Sequence, residues 1–259
     1  MAFLEMNFRS HALNMNVPVC VVLPERPTAE PFGGAPEGTY KTLYLLHGLA
    51  GNHMDWMRRT AIERYANTHG IAVVIPEVAR AWYTDTAYDA KYFTYITQEL
   101  PTICRSYFKG MSDRREDNFI AGNSMGGYGA LKAALTYPEQ YCGCAALSGA
   151  LDITRKNRNY NLNEWKSIFG FELESALELE STKHDIFHLL RQAVAEGKQL
   201  PQLFMWCGTE DSLITVNRDY HQLLTQLGVE HHYEESTGAH NWRCWDEHIA
   251  DALRFFFAK

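Results

Sequence analysis

Phe119-Ile120-Ala121-Gly122-Asn123-Ser124-Met125-Gly126-Gly127 carries a short apolar run into Gly-x-Ser-x-Gly, and an alanine-rich helical pattern follows directly. Strand, sharp turn and helix in that order describe a nucleophile elbow. A serine forced into such a turn projects its hydroxyl away from the backbone, and small residues two places either side leave room where strand and helix cross. In a chain with 18 glycines the five-residue pattern alone is weak. Its weight comes from the setting and from partners further along.

Outward from the elbow, apolar runs and helical patterns alternate. Strands are expected at 41–46, 71–75, 117–121, 143–148, 202–207 and 230–235, and helices at 53–68, 91–107, 125–136, 213–227 and 241–257. Alternation of this kind predicts an α/β class with a mainly parallel sheet and helices on both faces. Before it, 2–8 and 17–23 read as an antiparallel pair, and the proline- and glycine-rich stretch 24–38 is a loop rather than a domain linker, because two strands cannot form a core. One domain over 1–259 is the expectation. Residues 150–200 interrupt the alternation with Trp165, Phe169, Phe171 and Phe187 among many carboxylates. They are expected to form short helices inserted as a cap over the site. In the last helix, Trp242, Trp245, Ile249, Leu253 and Phe256 repeat at spacings of 3 and 4, a stripe that would clamp it to the sheet.

With 46% apolar residues the chain can bury a sizeable core, and a formal charge of −7 without any basic run speaks against a nucleic-acid partner. No segment has the length of a membrane span, and the start of the chain lacks the pattern of a secretory signal. Six cysteines (Cys20, Cys104, Cys142, Cys144, Cys207 and Cys244) show no metal spacing and no disulfide density, which suggests reduced thiols and a cytoplasmic protein.

A serine hydroxyl barely ionises near neutrality, so it needs an adjacent base, and the base needs an acid to fix its tautomer. Gly208-Thr209-Glu210-Asp211 and Gly238-Ala239-His240-Asn241-Trp242 each follow a predicted strand. Strand ends of a parallel sheet share an edge, so Ser124, Asp211 and His240 can converge there. Glu210 and Asp152 are the competing acids. Leu45-Leu46-His47-Gly48-Leu49-Ala50-Gly51 ends another strand at the same edge, where the backbone N–H of Leu49 can stand beside that of Met125 as an oxyanion pocket.

These segments, with Trp82-Tyr83-Thr84-Asp85, GNSMGGYGALKAAL and GAHNWRCW, resemble the esterase D family of α/β-hydrolases, in particular its small bacterial tributyrin esterases. The resemblance covers most of the chain and is weakest over 150–200. It implies the α/β-hydrolase fold and a serine hydrolase without cofactor or metal, with Ser124, Asp211 and His240 as catalytic triad and the Leu49 and Met125 amides as oxyanion donors. It also implies a small-molecule ester as substrate, and self-association, for which no residue pattern selects a surface. A compact polar cap suggests acyl chains from acetyl to butyryl. Feruloyl (cinnamoyl) esterases and S-formylglutathione hydrolases are relatives; the latter usually carry cysteine where this chain has Gly51. Asn123 stands where relatives often have His or Leu. An acyltransferase, or a non-catalytic binding protein on the same scaffold, completes the alternatives.

Other residues have plainer readings. Trp82, Tyr83, Tyr160 and Trp165 are candidates for lining an acyl pocket, against ordinary packing under loops. Ser148 lacks the first glycine and reads as a strand-end hydroxyl. His47 is expected to support the oxyanion turn. His184 and His188, four apart on a predicted helix, read as a solvated face rather than a metal pair. Cys142 and Cys144 are expected on one side of a strand as small hydrophobes.

Overall fold

Alternating side chains on five-residue apolar runs such as Thr42–Leu46, Ala72–Pro76 and Gly143–Leu147 point to opposite faces, and every residue of these runs is buried, which requires cover on both sides. The computed structural model, which describes residues 1–25, 34, 36–154 and 161–257, supplies that cover. Its strands are β1 (Ala2–Ser10), β2 (Met15–Leu23), β3 (Thr42–Leu46), β4 (Ala72–Pro76), β5 (Asn118–Asn123), β6 (Gly143–Leu147), β7 (Gln202–Gly208) and β8 (His232–Ser236). They form one eight-stranded sheet in the order β1-β2-β4-β3-β5-β6-β7-β8. β1 and β2 pair antiparallel, β2 meets β4 antiparallel, and the remaining neighbours are parallel.

Two cores result. Leu43, Leu45, Phe119, Ala121 and Trp206 face α1 (Asp55–Arg59), α2 (Ile62–His69) and α9 (Trp242–Phe257). Tyr44, Leu46, Ile120, Ala146 and Met205 face the other way, towards α4 (Leu100–Tyr107), α5 (Met125–Thr136), α7 (Ile186–Ala195) and α8 (Ile214–Gln226). On α9 the expected stripe is the buried face: Trp245, Ile249, Leu253 and Phe256 are in the first core and Trp242 packs against it. Each fully buried aliphatic side chain of that stripe contributes about 1.5–3 kcal/mol.

The expected strand and helix positions agree with the structure to within a few residues, with two exceptions. The helix expected at 53–68 is broken between α1 and α2, where Thr60 is extended, its hydroxyl bonds the Trp56 carbonyl, and the Ala61 N–H is taken by Asp246 of α9 at 2.8 Å. The helix expected at 91–107 starts as α3 (Tyr92–Thr94) and widens into a π-turn over Tyr95–Glu99 before α4. Pro101 has no N–H to return to the preceding turn, and the wider turn absorbs that loss.

Two smaller expectations are also corrected. Cys142 precedes β6, outside the pleat, and packs against the α9 side, whereas Cys144 lies in the opposite core. His184 is buried rather than solvated and precedes α7; its carbonyl accepts the Tyr128 hydroxyl at 2.7 Å. The 150–200 segment contains α6 (Leu162–Phe169), a 3-10 turn and α7, but its described part packs against α5 and the Trp82–Tyr83 loop on the flank of the sheet. The reason is apolar: Trp165 meets Trp82 edge to face at 5.3 Å.

On that flank the ammonium of Lys132 is buried. It donates to Thr84 Oγ1 at 2.7 Å and to the Tyr83 carbonyl at 3.2 Å, with Nζ 4.8 Å from the Phe93 ring centre. Burial lowers this amine from 10.5 to about 7. Burial and the neighbouring Lys132 likewise lower His184, to about 2. The folded chain thus holds the lysine proton less tightly than the unfolded chain, and stability grows as pH climbs between those two lysine values. Denaturant titrations should show wild type gaining on Lys132→Met from about pH 7 to about pH 10. A constant or shrinking gap would contradict the burial argument.

Candidate active site

Four turns meet at the C-terminal edge of the parallel strands: those after β3, β5, β7 and β8. Ser124 follows β5 with φ 54° and ψ −118°, a left-handed backbone that side chains rarely adopt. Its N–H donates to the Leu147 carbonyl at 2.9 Å, and its carbonyl accepts from Tyr128 N–H at 3.2 Å and Ala150 N–H at 3.0 Å. The turn is tight because α5 crosses β3 closely. A Cβ on Gly126 would lie 2.3 Å from the Leu46 oxygen, and one on Gly122 would lie 2.5 Å from the Gly126 carbonyl.

The three side chains expected to converge do so. His240 Nε2 is 3.0 Å from Ser124 Oγ, and His240 Nδ1 is 2.8 Å from Asp211 Oδ2. Of the acids weighed from the sequence, Asp211 is the one against the imidazole; Asp152 instead accepts from Thr154. The loops bearing Asp211 and His240 are laced by Thr209 N–H to the Ser236 carbonyl and Glu210 N–H to the Gly238 carbonyl, both 2.9 Å. Trp245 stands edge-on to the His240 ring at 4.8 Å.

Burial would raise the Asp211 carboxyl, but hydrogen bonds from His240, from the Leu213 N–H at 2.8 Å and from the Ser148 hydroxyl outweigh it and hold the group below the usual carboxylate range. Asp211 therefore stays ionised around neutrality. A carboxylate held this way keeps a proton on the facing imidazole nitrogen and leaves the other nitrogen free to accept the serine proton. Ser148, fully buried at the end of β6, also receives the Trp245 indole N–H at 3.2 Å. Its part in orienting the acid was not legible in the sequence, since a strand-end serine carries no signal of which carboxylate it will meet.

A cavity of about 220 Å³ opens at this edge, lined by residues 48–51, by Asn123, Ser124 and His240, and by Asp55, Arg59, Trp242 and Trp245. Larger hollows of about 310 and 620 Å³ lie away from Ser124. Leu49 reaches the cavity, and Met125 begins α5, so its N–H has no acceptor within the helix. Arg59 pairs with Asp55 at 3.3 Å and lies 5.7 Å from the Trp242 ring centre. The sequence did not mark this wall, because an i, i+4 ion pair on a short helix looks like any solvated face.

Three of the four expected acyl-pocket aromatics are placed elsewhere. Trp82, Tyr83 and Trp165 are each 3% exposed or less and line no part of this cavity. Tyr83 donates its hydroxyl to the His47 carbonyl at 2.8 Å, and the two tryptophans pack on each other. Buried aromatics under a loop and aromatics lining a cleft leave the same trace in a sequence. Tyr160 lies outside the described residues. Among the described residues, none from 150–200 lines the cavity. Nor, among the described residues, do three or more His, Cys, Asp or Glu side chains gather as a metal site, and no helix is long and apolar enough to cross a membrane.

The family model described as "Putative esterase" matches residues 10–256. An acetyl esterase of Caldicellulosiruptor saccharolyticus is 34% identical over 265 residues, covering 98% of each chain. A substrate-bound structure of FphF, a fluorophosphonate-binding serine hydrolase of Staphylococcus aureus, is 35% identical with a TM-score of 0.89, over 99% of this chain and 98% of that one. An S-formylglutathione hydrolase structure from Staphylococcus aureus is 34% identical at a TM-score of 0.86, over 99% and 98%.

Proposed function

The chain belongs to this esterase family and has the α/β-hydrolase fold, and on that premise we propose that it is a serine carboxylesterase for short acyl chains, acetyl to butyryl. Ser124 attacks the ester carbonyl while His240 takes its proton, and Asp211 steadies the imidazolium. The developing oxyanion rests on the N–H groups of Leu49 and Met125, each worth on the order of 3 kcal/mol of transition-state stabilisation. His240 then returns the proton to the departing alcohol, and water repeats the sequence on the acyl-enzyme. The observation that carries this reading is the unbroken hydrogen-bonded line from Ser124 Oγ through both nitrogens of His240 to Asp211.

The cavity of about 220 Å³, walled in part by Trp242, Trp245 and the Asp55–Arg59 pair, supports short acyl groups. With p-nitrophenyl acetate, butyrate and octanoate, kcat/KM for the first two should exceed the third by roughly tenfold or more, because methylenes that find no pocket gain no transition-state binding. Methyl ferulate belongs in the same series. Faster turnover of it, or of octanoate, than of acetate would reject the short-acyl assignment and leave the serine chemistry standing.

The second reading, hydrolysis of a glutathione thioester, is supported by the 34% identity to the staphylococcal S-formylglutathione hydrolase. Against it stands Gly51, where a Cβ would lie 2.7 Å from Asp55 Oδ2 and 3.1 Å from the Gly48 oxygen, so a cysteine side chain has no room unless Asp55 turns aside. Comparing S-formylglutathione with p-nitrophenyl acetate separates the two.

A further inference from the structure

We propose that His47 is the positioning residue of the oxyanion site: its imidazole, in the neutral form with the proton on Nδ1, fixes the direction in which the Leu49 N–H points. The inference rests on the assignment of Leu49 as an oxyanion donor made above.

Three successive carbonyls of the turn after β3 are each held by a side-chain donor. The Leu46 oxygen receives Trp56 Nε1–H at 3.0 Å, the His47 oxygen receives the Tyr83 hydroxyl at 2.8 Å, and the Gly48 oxygen is 2.8 Å from His47 Nδ1. The third contact bears on the chemistry. The Gly48 carbonyl and the Leu49 N–H belong to one peptide group, which is planar and trans, so they point in opposite directions and cannot be aimed independently. Fixing the Gly48 oxygen, with help from Gly51 N–H at 3.1 Å, fixes the opposite direction of the N–H of Leu49, a residue that lines the cavity with Ser124 and His240.

The tautomer follows from the partners. Val78 N–H, 3.2 Å from Nε2, can only donate, so Nε2 accepts. The Gly48 oxygen can only accept, so Nδ1 carries the proton. Both partners are main chain and neither can exchange roles. The ring is fully buried, and burial lowers its basicity despite the Gly48 contact and Glu77 nearby, which favours the neutral form. Through Nε2 the same ring ties the turn after β3 to the segment after β4, so the donor is referenced to two strands of the sheet.

Three substitutions test this. Asn at 47 keeps an N–H near the position of Nδ1, whereas Gln places its amide near Nε2 and forfeits the Gly48 contact; Leu49→Pro deletes the proposed donor. Expected for His47→Gln is a fall in kcat on p-nitrophenyl acetate of roughly 10²-fold with KM little changed. Weaker inhibition by an alkylboronic acid, whose tetrahedral adduct on Ser124 puts an oxygen at the oxyanion position, should accompany it in proportion. His47→Asn should retain kcat within about tenfold. A fall with Leu49→Pro but equal behaviour of the Asn and Gln variants would overturn the positioning role and leave the donor assignment intact. Wild-type kcat in Leu49→Pro would overturn the donor itself. Long-range proton–nitrogen NMR on the wild-type protein reads the tautomer without any variant: a proton on Nδ1 of His47 is expected, and a proton on Nε2 refutes the clamp even if the Gln variant does not fold.

Discussion

Ser124→Ala is expected to lower kcat for short-chain esters by roughly 10³- to 10⁶-fold. Only the hydroxyl is lost. The backbone bonds that hold the turn, from Ser124 N–H to Leu147 and from Tyr128 and Ala150 to the Ser124 carbonyl, do not involve it. The melting temperature should therefore stay within about 4 °C of wild type, since a surface-accessible single hydrogen bond contributes about 1 kcal/mol. What remains of the rate comes from binding and from the oxyanion donors, which act on any attacking water but cannot supply the covalent step. Stoichiometric labelling by a fluorophosphonate should disappear in the variant. Retention of a tenth or more of wild-type turnover would rule out Ser124 as the nucleophile and with it the assigned partners.

Gly126→Ala should be among the most damaging small substitutions in the described residues. Its Cβ would lie 2.3 Å from the Leu46 oxygen and 2.8 Å from both the Leu46 carbon and the His47 oxygen, all main-chain atoms at the end of a buried strand. No rotamer relieves that contact, so α5 must lift off β3. A loss of roughly 3 kcal/mol or more is expected, which in a chain of this length lowers the melting temperature by about 6–12 °C. Activity should fall further than stability, because the displaced carbonyls are those that anchor the oxyanion turn. Gly228→Ala makes the comparison: a Cβ there meets nothing within 4 Å, and only its φ of +67° opposes the change, at about 1 kcal/mol. Equal melting temperatures for the two variants would mean that the crossing of α5 over β3 is looser than these distances require.

Much of this was legible before any coordinates. The parallel sheet follows from apolar runs such as 143–148 alternating with helical stripes, and the convergence of Ser124, Asp211 and His240 from each candidate lying just past a strand. What the sequence concealed was settled by contacts between distant segments. The break at Thr60 depends on Asp246, 185 residues away, taking the Ala61 N–H. The docking of residues 162–195 against the flank depends on Trp165 finding Trp82, and no local pattern says which surface an apolar side chain will choose. Tyr83 was singled out for a pocket and instead steadies the carbonyl of His47, because a phenol that serves a backbone oxygen and one that meets a ligand are written with the same letter.

The strand that precedes His240 has a further consequence. Among the described residues β8 has β7 as its only partner in the sheet, and none of its own residues is buried. Ser124, by contrast, issues from the middle of the sheet, from a strand buried throughout. Proteins loosen first where neighbours are fewest. The imidazole of His240 is thus moored near the margin while the Ser124 hydroxyl sits at the centre, and on the proposed assignment activity should fade on gentle warming before most of the scaffold unfolds.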